Sequence, residues 1–269
     1  MDQVMPKFAP FALVEAFCSD SPGSGNPAGV VLLDEWIDDT TMQQIATTVN
    51  QAETAFVGPD ETGKRIRWFT PNVEVDLCGH ATLASAAFLA SLGEGSSLIF
   101  QSRSGELSVV QFEDKFALDF PSRPAVPSDS QLVLALVPDA IAAFRNVDDW
   151  VVVFPDQKSV IDYQPEYEKI AALGLRGLAI TAPGETTDFC VRFFAPQSGV
   201  PEDHATGSAQ SYLVPLWAGD LGKNNLTSTQ LSIRKGHFES ELRGDRIIIS
   251  GQSNLLITGE VKIGDKSRA

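Results

Sequence analysis

Two stretches of the sequence, RWFTPNVEVDLCGHAT at residues 67–82 and RFFAPQSGVPEDHAT at residues 192–206, share one order of motifs. Each opens with an arginine and aromatic residues that end at a proline, and each closes with His-Ala-Thr. A further pair precedes them, PDET at residues 59–62 and PGET at residues 183–186. Because the three matches keep the same order, with a slip of a single residue, the sequence predicts an internal duplication.

The duplicated unit is predicted to contain strands arranged around one central helix. Aromatic and β-branched runs at residues 66–70 and 189–195 are typical of buried strands that end at a proline. Residues 81–92 are apolar or small on every side, which is typical of a helix that is buried all round. The counterpart of this helix, at residues 205–218, contains Pro215, which is expected to bend or interrupt it.

The rest of the chain is predicted to be rich in short strands, so the fold class is mixed α/β. Further strands are expected at residues 11–17, 28–33, 55–58, 98–101, 106–112, 116–120, 150–154, 178–181, 231–233, 238–242, 246–250 and 255–261. Further helices are expected at residues 39–49, with Asp38 or Asp39 as the cap, and at 138–144 and 165–173.

The two halves are expected to form two domains. A Pro-rich segment at residues 121–127 is the natural linker between them. The N-terminal domain is therefore predicted to span residues 1–120, with a strand at about 254–266 as a candidate to complete it. The C-terminal domain is predicted to span residues 128–253. A cleft between two such domains is a default place for a small-molecule site.

The charge of the chain argues against nucleic acid as a partner. The 269 residues include 35 acidic and 20 basic side chains, which gives a formal net charge of -15. Such a field repels a phosphate backbone.

The remaining composition predicts a cytoplasmic protein. Residues 1–13 lack a basic segment followed by an apolar one, so no signal peptide is expected. The longest apolar stretch, residues 81–92, is too short to span a bilayer. Three widely spaced cysteines favour a reducing compartment, and no CxxC or HExxH spacing predicts a metal site. Base rates favour a homodimer, although the sequence itself carries no signal for association.

The two helix starts, at residues 77–82 and 202–208, are candidate anion sites. The first turn of a helix offers unpaired N–H groups and the positive end of the helix dipole. Taken alone, Asp203 is better explained as an N-cap and Gly79 as a turn residue. Their occurrence at matching positions of the duplication favours a shared carboxylate-binding role instead.

Glu53 and the loop around Asn26 are further candidates. Glu53 stands at the entrance of an apolar strand, where apolar surroundings disfavour a charged carboxylate and create a useful acid or base near neutral pH. Taken alone, this segment is better explained by a solvated glutamate at a strand end. The Gly-rich turn that holds Asn26 matches neither a P-loop nor a dinucleotide fingerprint, and it is a candidate to line the site.

Four motifs together resemble the PhzF-like family of phenazine-biosynthesis proteins. They are GNPAGV at residues 25–30, QAETAF at 51–56, RWFTP through DLCGHAT at 67–82, and EDHATGSA at 202–209. The resemblance runs in order from the N-terminus to about residue 220. It implies the diaminopimelate-epimerase-like fold, in which two similar domains each roll a mixed sheet around a central helix and enclose the active site between them.

The resemblance also implies a cofactor-independent isomerase that shifts a proton on a small carboxylate-bearing substrate. Glu53 would be the general acid/base, with His80 and Asp203 assisting. Gly79, Gly207 and Ser208 would bind the substrate carboxylate, and Ser208 would also assist in handling the proton. Asn26 is a further candidate for substrate binding. No metal, other cofactor or membrane is implied, and the substrate itself is not specified.

Two departures from the family pattern leave alternatives open. His204 follows Asp203 where the family usually has a proline, and it adds a titratable group to the site. Related racemases use one cysteine per half, whereas here Cys78 has no counterpart in the second half, and Cys190 lies too early to replace it. The alternatives are a racemase or epimerase that uses Cys78 alone, and a binding protein without turnover.

Overall fold

The duplicated motifs lie in two separate compact units. The computed structural model describes residues 5–266, so residues 1–4, on which part of the signal-peptide prediction rests, lie outside the described residues. Within this range, unit 1 consists of residues 5–16, 27–118 and 252–266, and unit 2 consists of residues 17–26 and 119–251. Residues 17–26, expected in the first domain, lie in unit 2. The predicted domain boundaries, residues 1–120 and 128–253, remain a prediction.

The elements of the first half begin with long strands and include the first central helix. In chain order they are β1 (Met5–Cys18), β2 (Asn26–Leu32), α1 (Asp39–Val49), β3 (Glu53–Asp60), β4 (Gly63–Phe69), β5 (Glu74–Val75), α2 (Gly79–Ser91), β6 (Ser97–Ser102), β7 (Gly105–Phe112) and β8 (Lys115–Pro121).

The second half repeats this order with more helices at its start. Its elements are β9 (Val126–Pro127), α3 (Gln131–Leu136), β10 (Ala142–Arg145), β11 (Asp149–Val153), α4 (Gln157–Asp162), α5 (Tyr167–Ala171), β12 (Gly177–Pro183), β13 (Phe189–Ala195), a 3-10 turn (Pro196–Ser198), β14 (Val200–Asp203), α6 (Gly207–Leu221), β15 (Asn225–Gln230), β16 (Gly236–Arg243) and β17 (Arg246–Lys266).

Both units show the same strand pairings, which confirms the predicted duplication and the mixed α/β fold. In unit 1, β2 and β3 are parallel, β3 and β4 antiparallel, and β4 and β5 antiparallel. After α2, β6 returns parallel to β4. In unit 2 the same sequence of pairings runs through β11, β12, β13 and β14, and β15 returns parallel to β13 after α6.

Each central helix is buried along most of its length. Every residue of α2 from Gly79 to Leu89 is buried, and the helix contacts β3 and β7. Helix α6 contacts β15 and β16. A helix that is apolar or small on all sides can be enclosed in this way because it carries no polar face that must reach water.

Pro215 lies inside α6, and the helix continues beyond it to Leu221, so the expected interruption is wrong. A proline within a helix removes the hydrogen bond to the carbonyl four residues earlier, here that of Ser211. The backbone N–H of Arg123 donates to this carbonyl at 2.9 Å. The Pro-rich segment, predicted to be a linker, is therefore packed within unit 2 and replaces the missing bond.

Helix α1 matches the predicted bounds because its ends have local signals. The carboxylate of Asp38 accepts the backbone N–H of Thr41 at 2.9 Å and caps the helix. At the other end, Asn50 adopts a left-handed conformation with φ of 51° and closes the last turn. Met42 and Ile45 then pack against the strands of unit 1.

Other elements differ from prediction where long-range pairing dominates. Residues 138–144 are not a helix, because residues 142–145 form β10, which pairs antiparallel with β11. Residues 231–233 form a bend rather than a strand, since the backbone N–H of Lys235 donates to the carbonyl of Ser232. The two strands predicted at 246–250 and 255–261 are one strand, β17. The helix predicted at 165–173 is the shorter α5, and α4 was not predicted.

Removing a buried side chain from α2 is expected to cost much of the stability. Leu83 is fully buried, so Leu83→Ala should lower the free energy of unfolding by about 2–5 kcal/mol, because the enclosed helix leaves a cavity. Ile99, which is 51% exposed on β6, is the matched control, and Ile99→Ala should cost about 1 kcal/mol or less. Urea unfolding measures both. Equal losses would contradict the enclosure of α2.

Candidate functional site

Glu53 is the first residue of β3, just after the turn that ends α1. The side chain of Glu53 is 17% exposed, while Thr54 to Val57 behind it are buried. The register pairs Glu53 with Ala28 of the parallel strand β2. The carboxylate therefore stands at the end of a buried strand and keeps partial access to solvent.

His80 and Cys78 meet Glu53 from the start of α2. Cys78 is the extended N-cap residue and His80 lies in the first turn, and both are almost fully buried. The His80 Nε2 atom lies 3.3 Å from the Glu53 Oε2 atom. The His80 Nδ1 atom lies 3.4 Å from the Cys78 Sγ atom. The imidazole therefore stands between a carboxylate and a thiol, and it can orient the first and exchange protons with either.

Asp203 organises the corresponding turn of unit 2. Its Oδ1 atom accepts the side-chain amide of Asn26 at 2.7 Å and the backbone N–H of His204 at 2.9 Å. Its Oδ2 atom accepts the hydroxyl of Thr206 at 2.6 Å. The Asn26 amide also donates to the carbonyl of Ala205 at 3.1 Å. The carboxylate is thus held by three donors immediately before α6.

Gln230 completes this turn and was missed by the sequence reasoning. Its side-chain amide donates to the carbonyl of Asp203 at 2.7 Å, and its side-chain oxygen accepts the backbone N–H of Thr206 at 2.8 Å. Gln230 is fully buried at the end of β15. No local motif marks it, because its contacts depend on the parallel pairing of β13 and β15.

His204 is half-buried beside this network. Burial lowers its pKa, and the charge of Arg234 lowers it further, while Asp203 and Glu202 act in the opposite direction. The backbone carbonyl of His204 accepts the hydroxyl of Ser232 at 2.8 Å. The imidazole is therefore favoured in its neutral form.

The three predicted carboxylate-binding positions lie at the helix starts. Gly79 is the first residue of α2, and Gly207 is the first residue of α6. Both are buried, and Ser208 is half-buried in the next position. These positions put backbone N–H groups at the positive ends of the two helices. The role of binding a substrate carboxylate stays a prediction.

One duplicated ion pair braces the strands that lead into these turns. The guanidinium of Arg67 on β4 donates two hydrogen bonds to Glu74 on β5, at 2.7 and 2.8 Å. Arg192 on β13 makes the same bidentate contact with Glu202 on β14, at 2.8 and 3.0 Å. Each arginine opens one of the duplicated motifs, so the signal was present in the sequence although the partners were not recognised.

The predicted residues form two groups, one in each unit. Glu53, Cys78 and His80 come together in unit 1, and Asn26, Asp203 and His204 come together in unit 2. One ligand atom from each of Glu53, Cys78 and His80 lies within 4.8 Å of the others, so this group also has the donors for a metal ion. Within the described residues, no helix is both long and apolar enough to cross a membrane.

Known proteins are similar to this chain over most of its length. The model of the phenazine biosynthesis-like protein family, PhzC-PhzF, matches residues 14–259. An uncharacterized isomerase of Pseudomonas aeruginosa is 44% identical over 253 residues, covering 93% of this chain and 97% of that protein. The phenazine biosynthesis-like domain-containing protein 2 of Mus musculus is 36% identical over 286 residues, covering 93% of this chain and 98% of that protein.

Solved structures extend the similarity to the fold. A phenazine biosynthesis PhzC/PhzF protein from Clostridium difficile superposes with a TM-score of 0.89 at 34% identity, covering 94% of this chain and 99% of that one. A hydroxyproline epimerase from Agrobacterium vitis, with bound trans-4-hydroxy-L-proline, has a TM-score of 0.66 at 10% identity, covering 98% and 95%. The latter likeness concerns the fold alone.

The fold and these similarities define the chain as an isomerase with a diaminopimelate-epimerase-like architecture. It belongs to the phenazine biosynthesis-like (PhzC-PhzF) family.

The His204 imidazole is expected to titrate below its ordinary pKa of about 6.5. Because the unfolded chain then binds the proton more readily, His204 should lower stability as the pH falls below about 6.5. NMR titration, with His204→Gln to assign the signal, measures the pKa directly. In Arg234→Gln the pKa should rise, since a like charge is removed. A wild-type value at or above 6.5 would contradict the burial of this side chain.

Proposed function

We propose that the protein is a cofactor-independent isomerase that moves a proton on a small carboxylate-bearing substrate, with Glu53 as the general acid/base. The observation that carries the proposal is the contact of 3.3 Å between Glu53 Oε2 and His80 Nε2. It places a nearly buried imidazole against a carboxylate that keeps partial access to solvent.

The proposed reaction needs one base that both removes and returns a proton. The Glu53 carboxylate takes a proton from a carbon beside an unsaturated or carboxylate group and becomes a neutral acid. It then delivers this proton to another position of the same substrate, so no group is lost or gained. His80 orients the Glu53 carboxylate through their contact and supplies a second site for the proton.

The anion formed between these steps must be stabilised, because a carbon acid of this kind is weak. Backbone N–H groups at a helix start are fixed donors that need no rearrangement during the reaction. Gly79 at the start of α2 lies one residue before His80, so these donors belong to the same turn as the imidazole that contacts Glu53. This proximity supports binding of the substrate carboxylate or the delocalised anion there.

The proposed contribution of Asp203 differs from that of Glu53. Its carboxylate accepts three hydrogen bonds, from Asn26, His204 and Thr206, which favours a role in ordering the turn before α6. Gly207 and Ser208 would then present their N–H groups in a defined direction. That Asp203 handles the substrate proton directly, and that both units serve one substrate, stay predictions.

A second candidate is a racemase or epimerase that uses the Cys78 thiol. The observation in its favour is the 3.4 Å contact between Cys78 Sγ and His80 Nδ1, since an adjacent imidazole can activate a thiol. A second thiol is lacking at the matching position, where unit 2 has Asp203 and His204. Cys190 does not replace it, because burial raises the pKa of that thiol to about 12.

Glu53→Gln is expected to abolish proton transfer. The amide cannot accept the substrate proton, so incorporation of solvent deuterium into a substrate or analogue carbon should fall by about 10²–10⁴-fold. A panel of small carboxylates in deuterium oxide, followed by NMR, measures the exchange. Glu61→Gln, in the exposed turn between β3 and β4, is the matched control and should exchange like the wild type. Full exchange in Glu53→Gln would remove Glu53 from this role.

Cys78→Ala separates the two candidate functions. If Glu53 is the base, the variant should keep its exchange activity within about 10-fold of the wild type, because no proton passes through sulfur. The same deuterium assay measures this, with the α2 fold checked by circular dichroism. Complete loss of exchange in a folded Cys78→Ala protein would favour the thiol mechanism instead.

A further inference from the structure

Three different metal-binding donors converge at the start of α2. Cys78 offers a sulfur, His80 a ring nitrogen and Glu53 a carboxylate oxygen, and one such atom from each lies within 4.8 Å of the others. These donor types are those that proteins use to bind Zn²⁺ with three protein ligands and an open fourth position. Among the His, Cys, Asp and Glu side chains of residues 5–266, these three have ligand atoms close enough together to hold a metal ion.

The spacing is close to that of a tetrahedral zinc site. Zinc bonds of ~2.0–2.1 Å to nitrogen and oxygen and ~2.3 Å to sulfur require ligand atoms to lie about 3.3–3.6 Å apart. The His80 Nε2 and Glu53 Oε2 atoms are 3.3 Å apart. The Cys78 Sγ and His80 Nε2 atoms are 4.0 Å apart, and the three ligand atoms lie within 4.8 Å of one another, so the thiol must turn toward the other two donors to close the site.

The surroundings also favour a thiophilic metal. Cys78 is the N-cap of α2, and the positive end of a helix stabilises the thiolate that a metal requires. Cys78 and His80 are 5% and 4% exposed, so they are held by the packed start of α2. With a single oxygen donor among the three, the group suits Zn²⁺ rather than Mg²⁺ or Ca²⁺, which prefer oxygen ligands.

We propose that Glu53, Cys78 and His80 form an inhibitory site for Zn²⁺. Binding displaces the thiol proton of Cys78 to solvent and leaves the ion held by the thiolate, the imidazole Nε2 and the carboxylate. Because the Glu53 carboxylate is then a metal ligand, it no longer accepts a substrate proton. The inhibitory part of this inference rests on the proposed role of Glu53, whereas the binding part does not.

Metal binding by the whole chain, stripped with a chelator and reduced, tests the site without any substrate. Calorimetry with Zn²⁺ should show one saturable site per chain. Co²⁺ as a probe should give the absorption of a tetrahedral ion together with a thiolate charge-transfer band. Absence of saturable binding at one ion per chain would overturn the proposal.

Matched cysteine variants identify the ligand. Cys78→Ser should lose the charge-transfer band and weaken Zn²⁺ binding by at least about 100-fold, since a ligand of the ion is removed. Cys190→Ser should bind like the wild type, because that thiol lies in unit 2 and its pKa is raised to about 12 by burial. Unchanged binding by Cys78→Ser would overturn the assignment.

A measurement on the wild-type protein covers the case in which Cys78→Ser does not fold. Zn²⁺ should slow alkylation of Cys78 by iodoacetamide, as read by peptide mass spectrometry, and a chelator should restore the rate. An alkylation rate that does not respond to Zn²⁺ would overturn the site.

The deuterium-exchange assay then separates this inference from the proposed function. The Zn²⁺ concentration that halves the exchange should equal the dissociation constant from calorimetry. If Zn²⁺ binds and Glu53→Gln keeps full exchange, the proposed function fails and the metal site stands. If Glu53→Gln is inactive and Zn²⁺ does not bind, the proposed function stands and the metal site is overturned.

Discussion

The start of α2 is enclosed on every side, and the positions of the functional groups of unit 1 depend on this enclosure. All residues from Gly79 to Leu89 are buried, so a rotation or shift of the helix within its sheet would disrupt close packing on every side. Cys78 and His80 therefore reach Glu53 at the end of β3 in one defined geometry. If one side of the helix faced solvent, this geometry would depend on exposed polar contacts, which water and salt weaken.

In unit 2, polar contacts fix the geometry at the start of the central helix. The turn before α6 carries a carboxylate, and Asn26, Thr206 and Gln230 hold this turn through hydrogen bonds from three parts of the chain. Such donors stabilise the half-buried Asp203 carboxylate, because its partial desolvation is otherwise costly. The two units thus share a topology while their helix starts carry different chemistry: a thiol and an imidazole in one, an aspartate and a second imidazole in the other.

The duplicated arginines make the same structural contacts in both units. Arg67 and Arg192 each make a bidentate pair with a glutamate on the next strand. Each guanidinium also lies over an aromatic ring of its own strand, Phe69 at 5.2 Å or Phe194 at 5.0 Å. These contacts brace the short strand that leads into each helix start, so this support is the same in both units although the residues at the two helix starts differ.

The sequence by itself determined the duplication, the two central helices, helix α1 and the family, because each has a local or repeated signal: Asp38 as a cap, an all-apolar helix, and motifs in one order. Only the tertiary structure decided the features that depend on partners far apart in the chain. Residues 142–145 became a strand because β11 offers a partner, Pro215 is tolerated because Arg123 satisfies the carbonyl that it leaves, and Glu53 meets His80 because β3 and α2 pack together. These outcomes depend on residues far apart in the chain, whose contacts no local pattern encodes.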